Sequence, residues 1–184
     1  MISKRAFMAL GAAALGTPST TFAQSGFQLD PRFEPQVVPL RYPFQPGQIL
    51  VLPQAHYLYF VMPGNQAMRY GVGVGKAGLE FKGNAVIQRK AVWPDWRPTD
   101  EMIEREPHKY EKYADGVPGG PGNPLGARAL YLYQNGIDTY FRIHGTTEPW
   151  SIGRSASNGC IRMIDEHVID LYERVPRGSI VTVL

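Results

Sequence analysis

The sequence predicts a mainly β fold built from many short strands, with one helix near the C-terminus. Three observations carry that expectation. Glycine and proline, 20 and 16 of 184 residues, make nearly a fifth of the chain turn-forming, which suits short strands and argues against a helical bundle. Runs rich in β-branched and aromatic residues recur from Ile49 to Ile143, bounded by Pro, Gly or Asn. Only one stretch, Ile164 to Val175, repeats its apolar residues with a helical period. The length allows one domain or one domain with an appendage, and 43% hydrophobic against 19% charged residues is enough for a packed core.

The chain opens with Lys4-Arg5, an apolar run from Ala6 to Gly16, Pro18, and then Thr21-Phe22-Ala23 ahead of Gln24. A cationic start, an apolar stretch of eleven residues and a small-x-Ala site together read as a signal peptide over residues 1–23. That run is too short to cross a hydrocarbon core of about 30 Å. Ser3-Lys4-Arg5-Ala6-Phe7 is similar to a twin-arginine signal with Lys in place of the first Arg, so a twin-arginine-like and a general secretory route both stay open. No Cys follows the small residues, and no later segment is apolar for 18 residues, so neither a lipoprotein anchor nor a spanning helix is indicated. Removing Lys4 and Arg5 lowers the net charge from +3 to +1, and the rest of the chain has no Lys/Arg stripe, so nucleic acid is not an expected partner.

Residues 24–48, rich in Pro, Gln and Phe without a period, read as an extended arm or linker. The domain proper is expected over 49–184. Ile49–Leu52, Tyr57–Val61 and Met68–Val74, punctuated by Pro53-Gln54 and Pro63-Gly64-Asn65, form a strand meander. Residues 80–92 add one or two strands broken at Gly83-Asn84. Between Trp93 and Leu125 lie six prolines and four glycines, and residues 95–115 hold seven acids and four Lys or Arg. So long an irregular stretch reads as a lid or binding loop, with a solvated connector as the bland alternative. Thr99-Asp100-Glu101 caps a short helix that Pro107 ends. Ala129–Tyr133, Asn135-Gly136 and Thr139–Ile143 make a hairpin that ends at His144. Ile164, Val168, Leu171, Tyr172 and Val175 share one face of a helix from Asp165 to Val175, which Pro176-Arg177-Gly178 stops before a closing strand.

The single cysteine, Cys160, excludes an internal disulfide, and no Cys/His spacing suggests a zinc site. It sits in Ser157-Asn158-Gly159-Cys160-Ile161-Arg162, a small, polar setting unlike that of a core cysteine, and is expected to be exposed. An ordinary thiol is only a few per cent ionised near neutral pH, so use as a nucleophile wants a base beside it. His56 precedes a strand, His108 lies in the irregular loop, and His167 is expected to be exposed in the first turn of the helix. His144, at a strand end and followed by Gly145, suits the role best. An unpaired thiol and a satisfied core histidine remain the structural alternatives. Gly159 permits a tight turn that can aim successive backbone N–H groups at one point, as an oxyanion hole requires. Arg162 is placed to lower the thiol pKa or to meet a substrate carboxylate, or else to pair with Asp165 or Glu166.

His144-Gly145-Thr146, the gap to Ser157-Asn158-Gly159-Cys160-Ile161-Arg162, and the helix and strand that follow resemble the YkuD-type L,D-transpeptidases of bacterial cell-wall synthesis, the ErfK/YbiS/YcfS/YnhG-like group. Gly71-Val72-Gly73-Val74-Gly75-Lys76, Trp93-Pro94-Asp95-Trp96-Arg97-Pro98 and Gly119-Gly120-Pro121-Gly122-Asn123-Pro124-Leu125-Gly126 carry the likeness upstream. One departure stands out: the family usually reads Ser-His-Gly-Cys, and this chain has Asn158 at the histidine. The resemblance implies a β-sandwich of mixed sheets. It implies Cys160 as nucleophile, His144 as base oriented by the Gly145 carbonyl, and backbone N–H groups near Gly159 and Cys160 as oxyanion donors. Arg162, Asn158, Ser157, Tyr131 and Trp96, with Trp93, are then the expected substrate contacts. The implied partner is a peptidoglycan stem peptide, cleaved after diaminopimelate with loss of D-Ala and joined to a second diaminopimelate in a 3→3 cross-link. Water or the amine of an outer-membrane or wall-anchored protein are alternative acceptors, and a wall-binding module without turnover is the non-enzymatic rival. The resemblance further implies a periplasmic location, a carbapenem as covalent inhibitor, and no cofactor.

Overall fold

The computed structural model describes residues 27–184, so the expected signal segment lies outside the described residues. In chain order the elements are β1 (Gln36–Pro39), β2 (Ile49–Leu52), β3 (Tyr57–Met62), β4 (Gln66–Gly71), β5 (Val74–Gly75), β6 (Gly83–Val92), α1 (Asp100–Arg105), α2 (Pro107–Tyr110), β7 (Arg128–Gln134), β8 (Ile137–His144), β9 (Ser155–Ser157), β10 (Ile161–Arg162), α3 (Asp165–Arg174) and β11 (Ile180–Val183). The protein is mainly β, as its turn-rich composition requires.

Nine strands form one mixed sheet in the order β1-β4-β3-β2-β11-β6-β7-β8-β10, and β5 and β9 make a small parallel pair. The C-terminal strand β11 joins the two halves, running parallel to β2 and antiparallel to β6. The expected sandwich of mixed sheets thus takes the form of one continuous sheet whose halves, with α3, share a core. Ile49, Val51, Leu58 and Tyr70 from one half meet Ile87, Leu130, Leu132 and Ile143 from the other, and Val168, Leu171 and Val175 of α3 close it. These helical positions repeat at three and four residues, which turns one apolar face inward. Lys90 reaches across from β6, and its Nζ donates to the carbonyls of Tyr172 and Val175 at 2.6 Å each, satisfying groups that the helix end leaves open.

Residues of the N-terminal arm add an edge strand, since β1 pairs antiparallel with β4. The arm also buries Phe33 and brings Glu34 to 3.4 Å from His167 Nε2. That contact corrects the expectation of an exposed His167, which is only 9% accessible beneath the arm. In the irregular stretch, Thr99 caps α1 by accepting from the N–H of Met102 at 3.2 Å, and Pro107 both ends that helix and begins α2. A bridge between Trp96 and Val117 pins the base of this stretch, and Trp96 packs against Tyr110 and Tyr113. The result is an ordered lid over one face of β6, β7 and β8. Among the described residues no helix is long and apolar enough to cross a membrane.

Candidate active site

Strand parity decides which side chains meet under the lid. In β8, Arg142 and His144 point to one face and Ile143 to the core. β10 runs parallel to β8 with Ile161 beside Ile143 and Arg162 beside His144. Carrying that register back one residue sets Cys160 beside Arg142, so Cys160 and His144 are diagonal neighbours on the same face. With strands about 4.8 Å apart and two residues advancing about 6.6 Å, their Cα atoms lie about 8 Å apart, a span the two side chains can close. Both line a cavity of about 660 Å³ roofed by the lid.

His144 is 4% exposed, and its Nδ1 lies 2.6 Å from the carbonyl oxygen of Gly145. A carbonyl only accepts, so Nδ1 carries the hydrogen and Nε2 presents a lone pair. Burial, then the Arg162 guanidinium, pushes the imidazole pKa down to about 3, partly opposed by the Gly145 carbonyl. Cys160 is partly buried rather than freely exposed, and its Sγ contacts the Tyr140 carbonyl at 3.8 Å. Burial pushes the thiol pKa up, against the backbone N–H of Arg142 and the charges of Arg142 and Arg162. At neutral pH the thiol and the imidazole are therefore both uncharged, an arrangement in which the Nε2 lone pair is able to accept a proton from a nearby thiol.

Two glycines let the backbone approach this closely. Gly159 has φ +125°, and a Cβ there would lie 2.5 Å from Phe141 Cε1 and 2.6 Å from the Leu79 carbonyl oxygen. At Gly145 a Cβ would run into the Asp165 carboxylate, which accepts the N–H of Thr146 at 3.1 Å and braces the loop after His144. The turn at the thiol differs from expectation in one respect. Gly159 N–H donates to Ser157 Oγ at 3.1 Å, whose hydroxyl in turn donates to the Cys160 carbonyl at 2.6 Å. Among the described residues the N–H groups of Asn158 and Cys160 in this turn have no acceptor, and that of Cys160 lies next to the sulfur.

Of the expected substrate contacts, Arg162, Asn158, Ser157, Tyr131 and Trp96 line the cavity; Trp93 does not, and is 42% exposed outside it. Arg162 pairs with neither Asp165 nor Glu166: its Nη1 lies 2.5 Å from Glu148 Oε2. Asn158 ties the thiol loop to the lid, its Nδ2 donating to Tyr110 Oη at 2.7 Å and its Oδ1 accepting from Arg105 Nη2 at 3.1 Å. Sequence reasoning missed Arg142, Arg105, Tyr110 and Glu148. Arg142 was legible, standing two residues before His144 in an alternating strand; Arg105 and Tyr110 come from the distant lid, and Glu148, four residues after His144, lies in a loop without a periodic signal. Among the described residues no three His, Cys, Asp or Glu side chains converge as a metal-ligand set.

The comparisons agree with this architecture. The YkuD family profile, described as the L,D-transpeptidase catalytic domain, matches residues 46–183. The Escherichia coli protein named "Probable L,D-transpeptidase ErfK/SrfK" is 31% identical over 75% of this chain. This chain covers 44% of that relative, so it spans less than half of the relative's length. A solved Brucella melitensis chain, named a probable carnitine operon oxidoreductase, is 55% identical with a TM-score of 0.58, the match covering 85% of this chain and 96% of that one. An L,D-transpeptidase solved in complex with imipenem shares the fold at 15% identity and a TM-score of 0.52, covering 74% of this chain and 57% of its own. With three quarters of its length matched by one family model, the chain belongs to the YkuD family of L,D-transpeptidase catalytic domains.

Proposed function

We propose that this chain is an exported, cysteine-dependent L,D-transpeptidase that acts on peptidoglycan stem tetrapeptides through an acyl-thioester and forms 3→3 cross-links. The observation that carries the proposal is the placement of Cys160 and His144 on one face of adjacent strands in a roofed cavity, with His144 Nδ1 held by the Gly145 carbonyl. Cys160 Sγ attacks the carbonyl carbon of diaminopimelate while its proton passes to His144 Nε2. The oxyanion forms against the N–H of Cys160. As the C–N bond breaks, His144 returns the proton to the departing D-Ala amine, leaving the thioester. The side-chain amine of a second diaminopimelate then attacks the thioester carbonyl and loses a proton to His144. The C–S bond breaks, and the thiol recovers that proton. Gly145 acts through His144, and Gly159 through the turn that presents the thiol.

The apolar N-terminal run with its small-x-Ala site supports export to the periplasm, where this substrate lies. The oxidoreductase name borne by the Brucella chain is not carried over, because the family match and the arrangement of thiol and imidazole both favour acyl transfer. Imipenem bound to a neighbour of the same fold supports a carbapenem as covalent inhibitor.

The test incubates the mature protein with tetrapeptide muropeptides and reads the products by mass spectrometry. Cross-linked dimers are expected, with D-Ala released, and Cys160→Ala abolishes them. Tripeptides alone would assign water as the acceptor, and a protein adduct would assign wall anchoring. Sacculus binding with no product and no carbapenem adduct would overturn the enzymatic reading altogether.

A further inference from the structure

One row of side chains crosses the floor of the cavity. Register pairs Arg89 of β6 with Tyr131 of β7, and Tyr131 with Arg142 of β8. Cys160, beside Arg142, ends the row, and all four residues line the cavity. Arg89 owes its place to an irregularity: the β6–β7 register shifts between Ile87 and Arg89. Without that extra residue Gln88 would oppose Tyr131, and Arg89 would turn toward the core.

The two guanidinium groups flank one aromatic ring. Arg89 Cζ lies 4.3 Å and Arg142 Cζ 4.4 Å from the ring centroid of Tyr131, reaching it from the strands on either side. Tyr131 is buried, so it forms a fixed platform. Arg142 is neutralised by Asp138, with contacts of 2.7 and 3.0 Å. Arg162 has Glu148, and Arg97 has Asp100. Arg89 makes no ion pair or side-chain hydrogen bond among the described residues. The cavity wall holds seven Lys or Arg against Asp95 and Glu148, so an entering anion meets a favourable field.

Geometry sets which anion. Two strand spacings, about 9.6 Å, separate the row positions of Cys160 and Tyr131, over whose ring Arg89 sits. In a stem tetrapeptide the carboxylate of the terminal D-Ala is three bonds from the acyl carbon, and at about 1.25 Å advance per bond it falls well short. Two carboxylates come within reach of a guanidinium there: the distal one of diaminopimelate, six bonds and about 7.5 Å away when extended, and the α-carboxylate of the γ-linked D-Glu, seven bonds and about 9 Å away. We infer that Arg89, held on Tyr131 beyond Arg142, is a specificity-determining residue that recognises a free carboxylate six or seven bonds from the acyl carbon of the donor. This deepens the stem-peptide reading above and rests on it.

The test compares kcat/KM for three tetrapeptides: one with both carboxylates free, one with the D-Glu carboxylate as its amide, and one with the distal diaminopimelate carboxylate as its amide. The native protein prefers the free peptide to one of the amides by about tenfold, and that amide identifies the carboxylate. Arg89→Gln loses the preference while turning over that amide as the native protein does, and Arg89→Lys, which keeps the charge, retains it. An identical preference in native protein and Arg89→Gln for both amides, with cross-linking intact, overturns this inference and leaves the proposed function standing. If no peptide is turned over, the proposed function has failed, and calorimetric affinities with Cys160→Ala and Cys160→Ala/Arg89→Gln decide the matter. A tenfold difference on the free peptide upholds the carboxylate site; equal affinities or no binding refute it.

Discussion

Asn158 stands where the family usually has histidine, and the structure gives it a mechanical task whose removal can be measured. Its Nδ2 donates to Tyr110 Oη at 2.7 Å in a partly buried setting, which contributes about 1 kcal/mol. Its Oδ1 accepts from Arg105 Nη2 at 3.1 Å in an exposed setting, which contributes about 0.5 kcal/mol. These are the side-chain hydrogen bonds that join the thiol loop to α1 and α2. Asn158→Ala therefore weakens lid closure by about 1.5 kcal/mol, roughly a tenfold rise in the opening constant. Native-state hydrogen exchange reads this directly: amides of residues 100–110 exchange about tenfold faster, while those of β7 and α3 are unchanged. Tyr110→Phe removes only the shorter bond and accelerates exchange about fivefold, and the double-mutant cycle between positions 110 and 158 returns a coupling of about 1 kcal/mol. Asn158→His, with a single ring N–H to offer, falls between native and Ala. Unchanged lid exchange in Asn158→Ala, or a coupling of zero, would refute the reasoning.

Three further predictions follow from the same geometry. With the imidazole pKa lowered to about 3 and the thiol raised, the resting protonation state persists across neutral pH. The rate constant for acylation of Cys160 by a carbapenem is thus flat from about pH 5 to 8, with no step near 6.5; a tenfold rise per pH unit would show a pre-ionised thiolate as the reacting species instead. Gly159→Ala places a methyl against Phe141 and the Leu79 carbonyl at a positive φ, and costs at least about 2–3 kcal/mol in urea denaturation, with loss of carbapenem labelling. Burial lowers the pKa of His144, His167 and His56, so below about pH 6.5 the unfolded chain binds protons that the folded one refuses, and stability falls as pH falls. His144 contributes up to about 1.4 kcal/mol per pH unit until its folded pKa near 3, and His144→Gln flattens the slope of unfolding free energy between pH 6.5 and 4.5 by that amount.

Local periodicity made much of the fold legible. The hairpin around Asn135-Gly136 and the stripe from Ile164 to Val175 are short-range patterns, and they appear as β7–β8 and α3. Pairings between distant segments were not legible. Nothing in Gln36–Pro39 announces β4 as its partner, and nothing near His167 announces Glu34. The site divides the same way. Cys160 and His144 stood out by chemistry and by flanking glycines, and alternation along β8 places Arg142 beside them. The irregularity at Tyr140, with φ +62°, hides that alternation for one residue; the Asp138 carboxylate holds it by accepting the Tyr140 N–H at 2.8 Å. Trp93 and Trp96 look equivalent as letters, yet only Trp96 pairs with Val117 and turns into the lid's aromatic cluster.

Net charge misleads most instructively at the lid. Residues 95–115 hold seven acids and four cations, which reads as an acidic surface segment. The fold sorts them: Arg97, Arg105, Lys109 and Lys112 all line the cavity, and of the seven acids only Asp95 does. A chain whose net charge without residues 1–23 is +1 thereby encloses its thiol in a cationic chamber while presenting acids outward. Composition gave no support for a long polyanion such as nucleic acid, because a surface stripe is what such a partner needs. It could not exclude a small anion, because a few inward charges under a lid suffice, and their mutual repulsion is relieved when carboxylates of a peptide enter. For the proposed donor, a stem peptide bearing several carboxylates, the cations that the lid adds to this cavity supply a favourable field that grows with each charge.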